Sequence, residues 1–132
     1  MNILKDIKRH EGFRSKVYKC SQGFDTIGYG FAIKDLEIDK DIADLILMRK
    51  IKKLLESLIK VFPWFDKAPD NVKYVVLNMS YQLGIRGFSK FKKTIRLIEQ
   101  RKYPKASIEM LDSLWAKQTP NRAKELSEEI AK

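Results

Sequence analysis

In HEGFRSKVYKCSQGFDTIGYGF, residues 10–31, the part from Lys16 onward is the one piece of the chain that resists a helical reading. Val17, Tyr18, Phe24, Thr26, Ile27 and Tyr29 favour strands, and Gly23, Gly28 and Gly30 punctuate them. A small β-hairpin is expected there. The same stretch holds a glutamate followed by glycine, the only cysteine of the chain and an isolated threonine. Singly, each has an ordinary structural explanation: a solvated surface glutamate, a small apolar cysteine, a strand-forming threonine.

Working outward, the period becomes helical on both sides. A short helix is expected over 3–10, ending at Glu11. Ile42, Leu45, Ile46, Ile51, Leu54, Leu55, Leu58, Ile59 and Phe62 approximate the three-and-four spacing of a buried stripe. The spacing predicts one long helix over 40–60, capped by Asp39 and ended by Pro63. The next starts with Asp70 as cap, buries Val72, Val75, Val76, Met79 and Leu83, and stops at Gly84. Ile95, Leu97 and Ile98 mark another, running to Arg101. Ala106 to Trp115 reads as a single helix with Ile108, Leu111 and Trp115 inward, and a last one follows Thr119 and Pro120. The fold class is therefore α+β and mostly α.

With 132 residues and 44% hydrophobic composition, the chain is large enough for one core or two small lobes sharing it. Spanning a membrane takes about 18–20 consecutive apolar residues, and no such run occurs; stable membrane insertion is not expected. MNILKDIK at the start lacks the apolar centre of a signal peptide, so a cytoplasmic protein is expected. One cysteine and one histidine leave no disulfide and no structural metal cluster to expect. Twenty-seven Lys and Arg against seventeen Asp and Glu give a net charge of +10, which favours a polyanionic partner such as nucleic acid, anionic membrane or bacterial cell wall. The basic residues are spread along the chain, in KIKK (50–53), KFKK (90–93) and RK (101–102). No RNA-binding or zinc pattern appears, so nucleic acid is not the expected partner.

Taken together, Glu11, Cys20 and Thr26 with their spacing inside EGFRSKVYKCSQGFDTIGYG resemble the catalytic signature of the phage-type lysozymes, the endolysins of glycoside hydrolase family 24. The middle position of that signature is Asp or Cys. LNMSYQLGIRGF (77–88) is similar to the helix and turn flanking the family's cleft, and WAKQTPNRAKE (115–125) to its C-terminal segment. The resemblance implies a lysozyme-like single domain over 1–132: a small hairpin lobe at about 12–38 set against a helical lobe at about 62–132 plus the N-terminal helix, joined by the long helix.

By the same resemblance Glu11 is the general acid, Cys20 the second catalytic group, and Thr26 the hydroxyl that holds the attacking water. Tyr81 and Gln82 line the saccharide cleft, and Arg122 supports catalysis by pairing with Glu11. Two departures stand out: Phe31 replaces a histidine found in many members, and the segment between Phe31 and Asp39 is short. The implied activity is hydrolysis of the β-1,4 bond between N-acetylmuramic acid and N-acetylglucosamine in peptidoglycan, with host cell lysis as its use. No metal or cofactor is required. The implied protein is a monomer, kept in the host cytoplasm until a holin opens the way to the periplasm. The alternative is a peptidoglycan-binding protein with weak or no turnover.

Chemically the assignment is coherent. Glycoside hydrolysis needs one group to protonate the leaving oxygen and another to activate water or meet the oxocarbenium-like centre. A carboxylate at the end of a helix is disfavoured by the helix dipole, which suits a proton donor. A free thiol titrates near 8.5, leaving only a few per cent thiolate at neutral pH. Lys16 and Lys19 are expected to raise that fraction. Cys20 acting as base and Cys20 acting as nucleophile both fit the residues.

Overall fold

The computed structural model describes all of residues 1–132 and divides into two compact units, Met1–Asp44 and Leu45–Lys132. The first holds helix α1 (Ile3–Glu11), strands β1 (Arg14–Lys19), β2 (Asp25–Gly28) and β3 (Phe31–Ala32), and a single 3₁₀ turn at Ile33–Asp35. The strands form an antiparallel sheet in the order β1-β2-β3. Tyr18 faces Thr26 and Lys19 faces Asp25 across the first pair, with an irregularity between Arg14 and Tyr18. The expected hairpin is thus present and extended by β3, whose two residues are too few to announce a strand in the sequence.

Helix α2 (Lys40–Val61) crosses from the first unit into the second, which continues with α3 (Asp70–Ser89), α4 (Lys92–Glu99), α5 (Tyr103–Leu111), α6 (Leu114–Gln118) and α7 (Pro120–Ile130). The chain is mostly helical with a small N-terminal sheet, an α+β fold of the lysozyme type. No helix is long and apolar enough to cross a membrane.

The second unit encloses the core. Leu58, Phe65, Val72, Val75, Val76, Met79, Phe88, Met110, Leu126 and Ile130 are almost wholly buried in it. Aromatic edges organise one side: Phe88 meets Phe62 at 5.6 Å between centroids, and Phe91 meets Trp115 at 5.8 Å. Fully burying one such side chain stabilises by about 1.5–3 kcal/mol, so this cluster dominates the unit.

Several local expectations change. The α2 stripe is buried only in its second half: Leu58 and Phe62 are buried and Leu54 and Leu55 pack on the core, whereas Ile42, Leu45, Ile46 and Ile59 are exposed. A helix that leaves one unit for another has no core under its first turns. Gly84 does not end α3 outright; it adopts φ 74°, ψ 164°, and the helical path resumes through Ile85–Ser89 after the kink. Asp70 opens α3 from inside, with Pro69 preceding it and no side-chain cap.

The expected 106–115 helix is two helices. Ser113 splits them, donating to Met110 O at 2.8 Å while accepting from Ala116 N–H at 3.1 Å. Trp115 therefore does not set the register of α5: Ala106 and Met110 face the core, and Ile108 and Leu111 are exposed. Thr119 precedes α7 without capping it, because its hydroxyl donates back to Trp115 O at 2.9 Å.

Charge also divides between the units. Met1–Asp44 carries eight basic and eight acidic residues, while Leu45–Lys132 carries nineteen and nine, so the whole +10 belongs to the second unit. The basic runs that looked evenly spread lie on one side of that boundary.

At the end of α4 the backbone stores some strain. Arg101 is the one non-glycine residue with positive φ, at 60°, and the N–H groups of Arg101 and Lys102 close the helix on Ile98 O and Leu97 O. Glycine usually occupies this position because it has no Cβ to crowd the carbonyl. Arg101→Gly is expected to stabilise the protein by about 1 kcal/mol; urea unfolding of the two proteins measures the difference.

Candidate active site

Glu11 is the last residue of α1, a helix whose start is fixed by Asn2 Oδ1 accepting from Lys5 N–H at 3.1 Å. Gly12 then turns the chain out at φ 71°, ψ 153°. The Glu11 side chain lies over the β2–β3 turn. A methyl group at Gly30 would come within 2.5 Å of Glu11 Oε2 and 3.1 Å of its Cδ, and Gly30 has φ 73°. Only glycine meets both conditions without displacing the carboxylate. Within this unit no basic side chain pairs with it.

Aromatic contacts hold the helix end and the turn together. The Tyr29 ring lies 5.5 Å from Phe13 and 6.3 Å from Phe31, and Lys8 Nζ lies 5.5 Å from its centroid. Phe31 packs so closely on Gly28 that a Cβ there would meet its Cδ2 at 2.7 Å. At this position the chain has a packing side chain instead of an ionisable one.

Cys20 follows β1 at a tight turn, in which Gly23 N–H donates to Cys20 O and Cys20 N–H to Phe24 O, both at 2.9 Å. The thiol is free and half-buried. Its pKa lies below the ordinary thiol value, first through a backbone hydrogen bond from Phe24 and next from Gln22, with smaller lowering contributions from Thr26 and Gly23, while partial desolvation acts in the opposite direction. Backbone donors favour the charged form because they stabilise thiolate and not thiol. The two lysines expected to do this are not among the causes. Lys19 is paired instead with Asp25 across the strands at 2.7 Å.

Thr26 stands on β2, only 3% exposed, and its hydroxyl donates to Phe24 O at 2.9 Å. That hydroxyl has one proton, so it serves either the Phe24 carbonyl or the thiolate, not both. In the structure it serves the carbonyl, and the amides are the lasting source of the thiol's acidity. Cys20 and Thr26 are thus brought together around the Phe24 peptide, with Glu11 held at the other end of β2 by Gly30.

The remaining expected site residues belong to the second unit. Arg122, in the first turn of α7, grips Asn78 of α3: Nε and Nη2 donate to Oδ1 at 2.8 and 2.6 Å, and Nη2 also to the Asn78 carbonyl at 3.2 Å. Both line a pocket of about 200 Å³ with Tyr81, floored by Leu47, Ile51 and Leu77. Tyr81 and Arg122 are therefore neighbours. Gln82 is turned elsewhere, its Oε1 accepting from Trp115 Nε1–H at 2.9 Å.

Asn78 was not anticipated. Its signal is a polar residue within the apolar VVLNM run of α3, three residues before Tyr81. A neutral amide orients the guanidinium without cancelling its charge, so the pocket keeps a positive end. No group of three or more His, Cys, Asp or Glu side chains is placed to hold a metal ion.

Comparison with known proteins gives the family. The sequence profile of the phage lysozyme family matches residues 8–128. Probable T4-type lysozyme 2 and probable T4-type lysozyme 1 of Dictyostelium discoideum are each 29% identical to the chain, over 93% of it and 90% of their own length. The pre-baseplate central spike protein Gp5 of Enterobacteria phage T4 is 27% identical over 93% of this chain, which matches 26% of that longer protein.

The hydrogen bonds at Cys20 have a direct chemical readout. Alkylation by iodoacetamide follows the thiolate fraction, so its midpoint in the folded protein is expected below about 8.5 and is expected to rise to about that value in denaturant. Thr26→Val is expected to move the folded midpoint up only slightly, because the amides remain. A folded midpoint equal to the denatured one would contradict the amide-stabilised thiolate.

Proposed function

Because the chain belongs to the phage lysozyme family, we propose that this glycoside hydrolase cleaves the β-1,4 bond between N-acetylmuramic acid and N-acetylglucosamine in bacterial peptidoglycan. Glu11 acts as general acid, Cys20 as the second catalytic group and Thr26 as the hydroxyl that positions water. Tyr81 and Gln82 contact the saccharide, and Arg122 pairs with Glu11. The observation that carries the reading is the thiol of Cys20, made more acidic by the backbone of its own turn and set beside Thr26.

The chemistry runs in two halves. The Glu11 carboxyl gives its proton to the glycosidic oxygen as the C–O bond breaks. The Cys20 thiolate then either takes a proton from water, which adds to the anomeric carbon, or itself bonds to that carbon before water releases the sugar. A lowered thiol pKa raises the thiolate fraction that both courses need. The Glu11 carboxyl must be reprotonated after each turnover. Gly30 fixes where that proton is delivered, since a reacting group displaced by about 1 Å forfeits as much as 10²-fold in rate.

Arg122 fits its proposed role through its orientation by Asn78, which leaves the guanidinium charge unspent in its own unit. The basic second unit suits a wall polymer whose peptide stems are acidic. In this reading the protein acts as a monomer on peptidoglycan, waits in the host cytoplasm, and reaches the wall once a holin opens the membrane to bring about host lysis.

Glu11→Gln is expected to keep the fold and lower the lysis rate by about 10²- to 10⁴-fold, because an amide has no proton to give. Turbidity loss of outer-membrane-permeabilised Gram-negative cells measures it, with circular dichroism as the folding control. Activity close to that of the wild type would place the acid elsewhere. Wild-type protein that binds peptidoglycan without releasing reducing ends would mark a binder.

Cys20→Asp is expected to retain substantial lysis, because a carboxylate also presents a deprotonated oxygen. Cys20→Ala is expected to lose most activity and Cys20→Ser nearly as much. Full activity in Cys20→Ala would reduce the thiol to a packing role.

A further inference from the structure

Both backbone groups of Phe24 are committed to the turn that carries Cys20. The Phe24 carbonyl accepts from Cys20 N–H and from the Thr26 hydroxyl, each at 2.9 Å. Its N–H is the first of the backbone donors that favour the thiolate. One residue therefore joins Cys20 to Thr26, and its backbone must be held still for those bonds to keep their geometry. The Phe24 side chain has little else to hold it: it is 43% exposed, and the ring pairs of this unit join Phe13, Tyr29 and Phe31 without it.

The strand register supplies a partner for that ring. Thr26 faces Ala32 across β2 and β3, so two steps outward on each strand reach Phe24 and Lys34. After Ala32 the chain closes the 3₁₀ turn Ile33–Asp35, with Leu36 N–H donating to Ile33 O at 3.1 Å. Lys34 Nζ lies over the Phe24 ring, 4.0 Å from its centroid, against 4.4 Å for Arg14 over Tyr18 and 5.5 Å for Lys8 over Tyr29. It is the closest of the three cation–ring contacts. Asp35 is the next residue in the chain, yet Lys34 is in none of the ion pairs of the structure. An ammonium so placed is attracted by the negative face of the ring.

We propose that Lys34 is a positioning residue for Cys20: its ammonium, seated on the Phe24 ring, pins the backbone of the turn against the thiol. Its bearing on turnover rests on the reading of Cys20 as the second catalytic group. Lys34 acts through the ring and not as a charge at the sulfur, since no charged side chain is among the causes of the lowered thiol pKa. The other titratable groups around the turn are Arg14, Lys16, Tyr18 and Lys19 of β1, Asp25 of β2 and Asp35 of the 3₁₀ turn. Of these, Arg14 is spent on the Tyr18 ring and Lys19 on Asp25. Without the clamp the exposed ring is free to leave, the amides are less often aligned on the sulfur, and the thiol returns toward its ordinary value.

Alkylation of the full chain by iodoacetamide across a range of pH tests the clamp independently of turnover. Lys34→Ala is expected to raise the Cys20 midpoint by about half a unit, which is about threefold less thiolate at neutral pH. Lys34→Arg is expected to restore it, because a guanidinium also seats on a ring face. Phe24→Leu keeps both backbone groups and is expected to give the same rise, and the double variant no more than either alone. Lys16→Ala removes a charge from β1 and is expected to change nothing, with circular dichroism as the folding control throughout. An unmoved midpoint in Lys34→Ala, an equal rise in Lys16→Ala, or a Lys34→Ala rise that persists in full in the Phe24→Leu background would each overturn the clamp. In lysis, the acidic limb of the pH-rate profile of Lys34→Ala is expected to move up by the same amount as the midpoint. A limb that stays put while the midpoint moves overturns the role in turnover and counts against Cys20 as a catalytic group, while the clamp stands.

Discussion

No side chain can stand at position 30 while Glu11 keeps its place. The constraint has two parts, a backbone at φ 73° and a hypothetical Cβ 2.5 Å from the carboxylate oxygen. It makes the position of that carboxylate depend on the backbone of a turn. Gly28 repeats the device one step earlier, admitting the Phe31 ring against the strand. Phe31 in turn packs on Tyr29, and Tyr29 on Phe13 beside the helix end. The end of α1 and the β2–β3 turn are thus fastened by close approach at glycines and by aromatic edges, without a hydrogen bond to the carboxylate itself.

How much of this was legible follows from the distance over which each choice is made. Strand preference and turn glycines act locally, so the hairpin and its limits could be read from KVYKCSQGFDTIGYGF. The reason for glycine at 28 and 30 could not, because it lies in Phe31 and Glu11 as placed by the fold. The α3 face was legible, since Val72, Val75, Val76 and Met79 keep one register through an unbroken stretch. The α5 face was misread because Ser113 breaks the helix and frees Ile108 and Leu111 from the register of Trp115. Among the candidate site residues, Glu11, Cys20 and Thr26 were visible as a spaced set, while Asn78 takes its meaning from an arginine forty-four positions away.

The activation of Cys20 separates short-range from long-range electrostatics. Lysines nearby in sequence were the expected source, yet Lys19 spends its charge on Asp25, and the turn's amides lower the thiol pKa. Hydrogen bonds from backbone are fixed by the turn and insensitive to salt, whereas exposed charges are screened over about 8–10 Å. The unit that carries Glu11 and Cys20 has no net charge, and the unit that carries Arg122 has all of it. The lowered thiol pKa and the positive charge therefore belong to different parts of the chain, and salt screens the second without altering the first.

Arg122 shows how such a charge is kept available. Had α3 offered a carboxylate at position 78, the same fork geometry would have formed an ion pair and neutralised the guanidinium. Asn78 accepts the same two bonds with an uncharged oxygen, so rotamer freedom is lost and charge is not. The cost of orienting the side chain is met during folding, before any substrate arrives. A guanidinium oriented in this way has little further entropy to lose on meeting an anionic group.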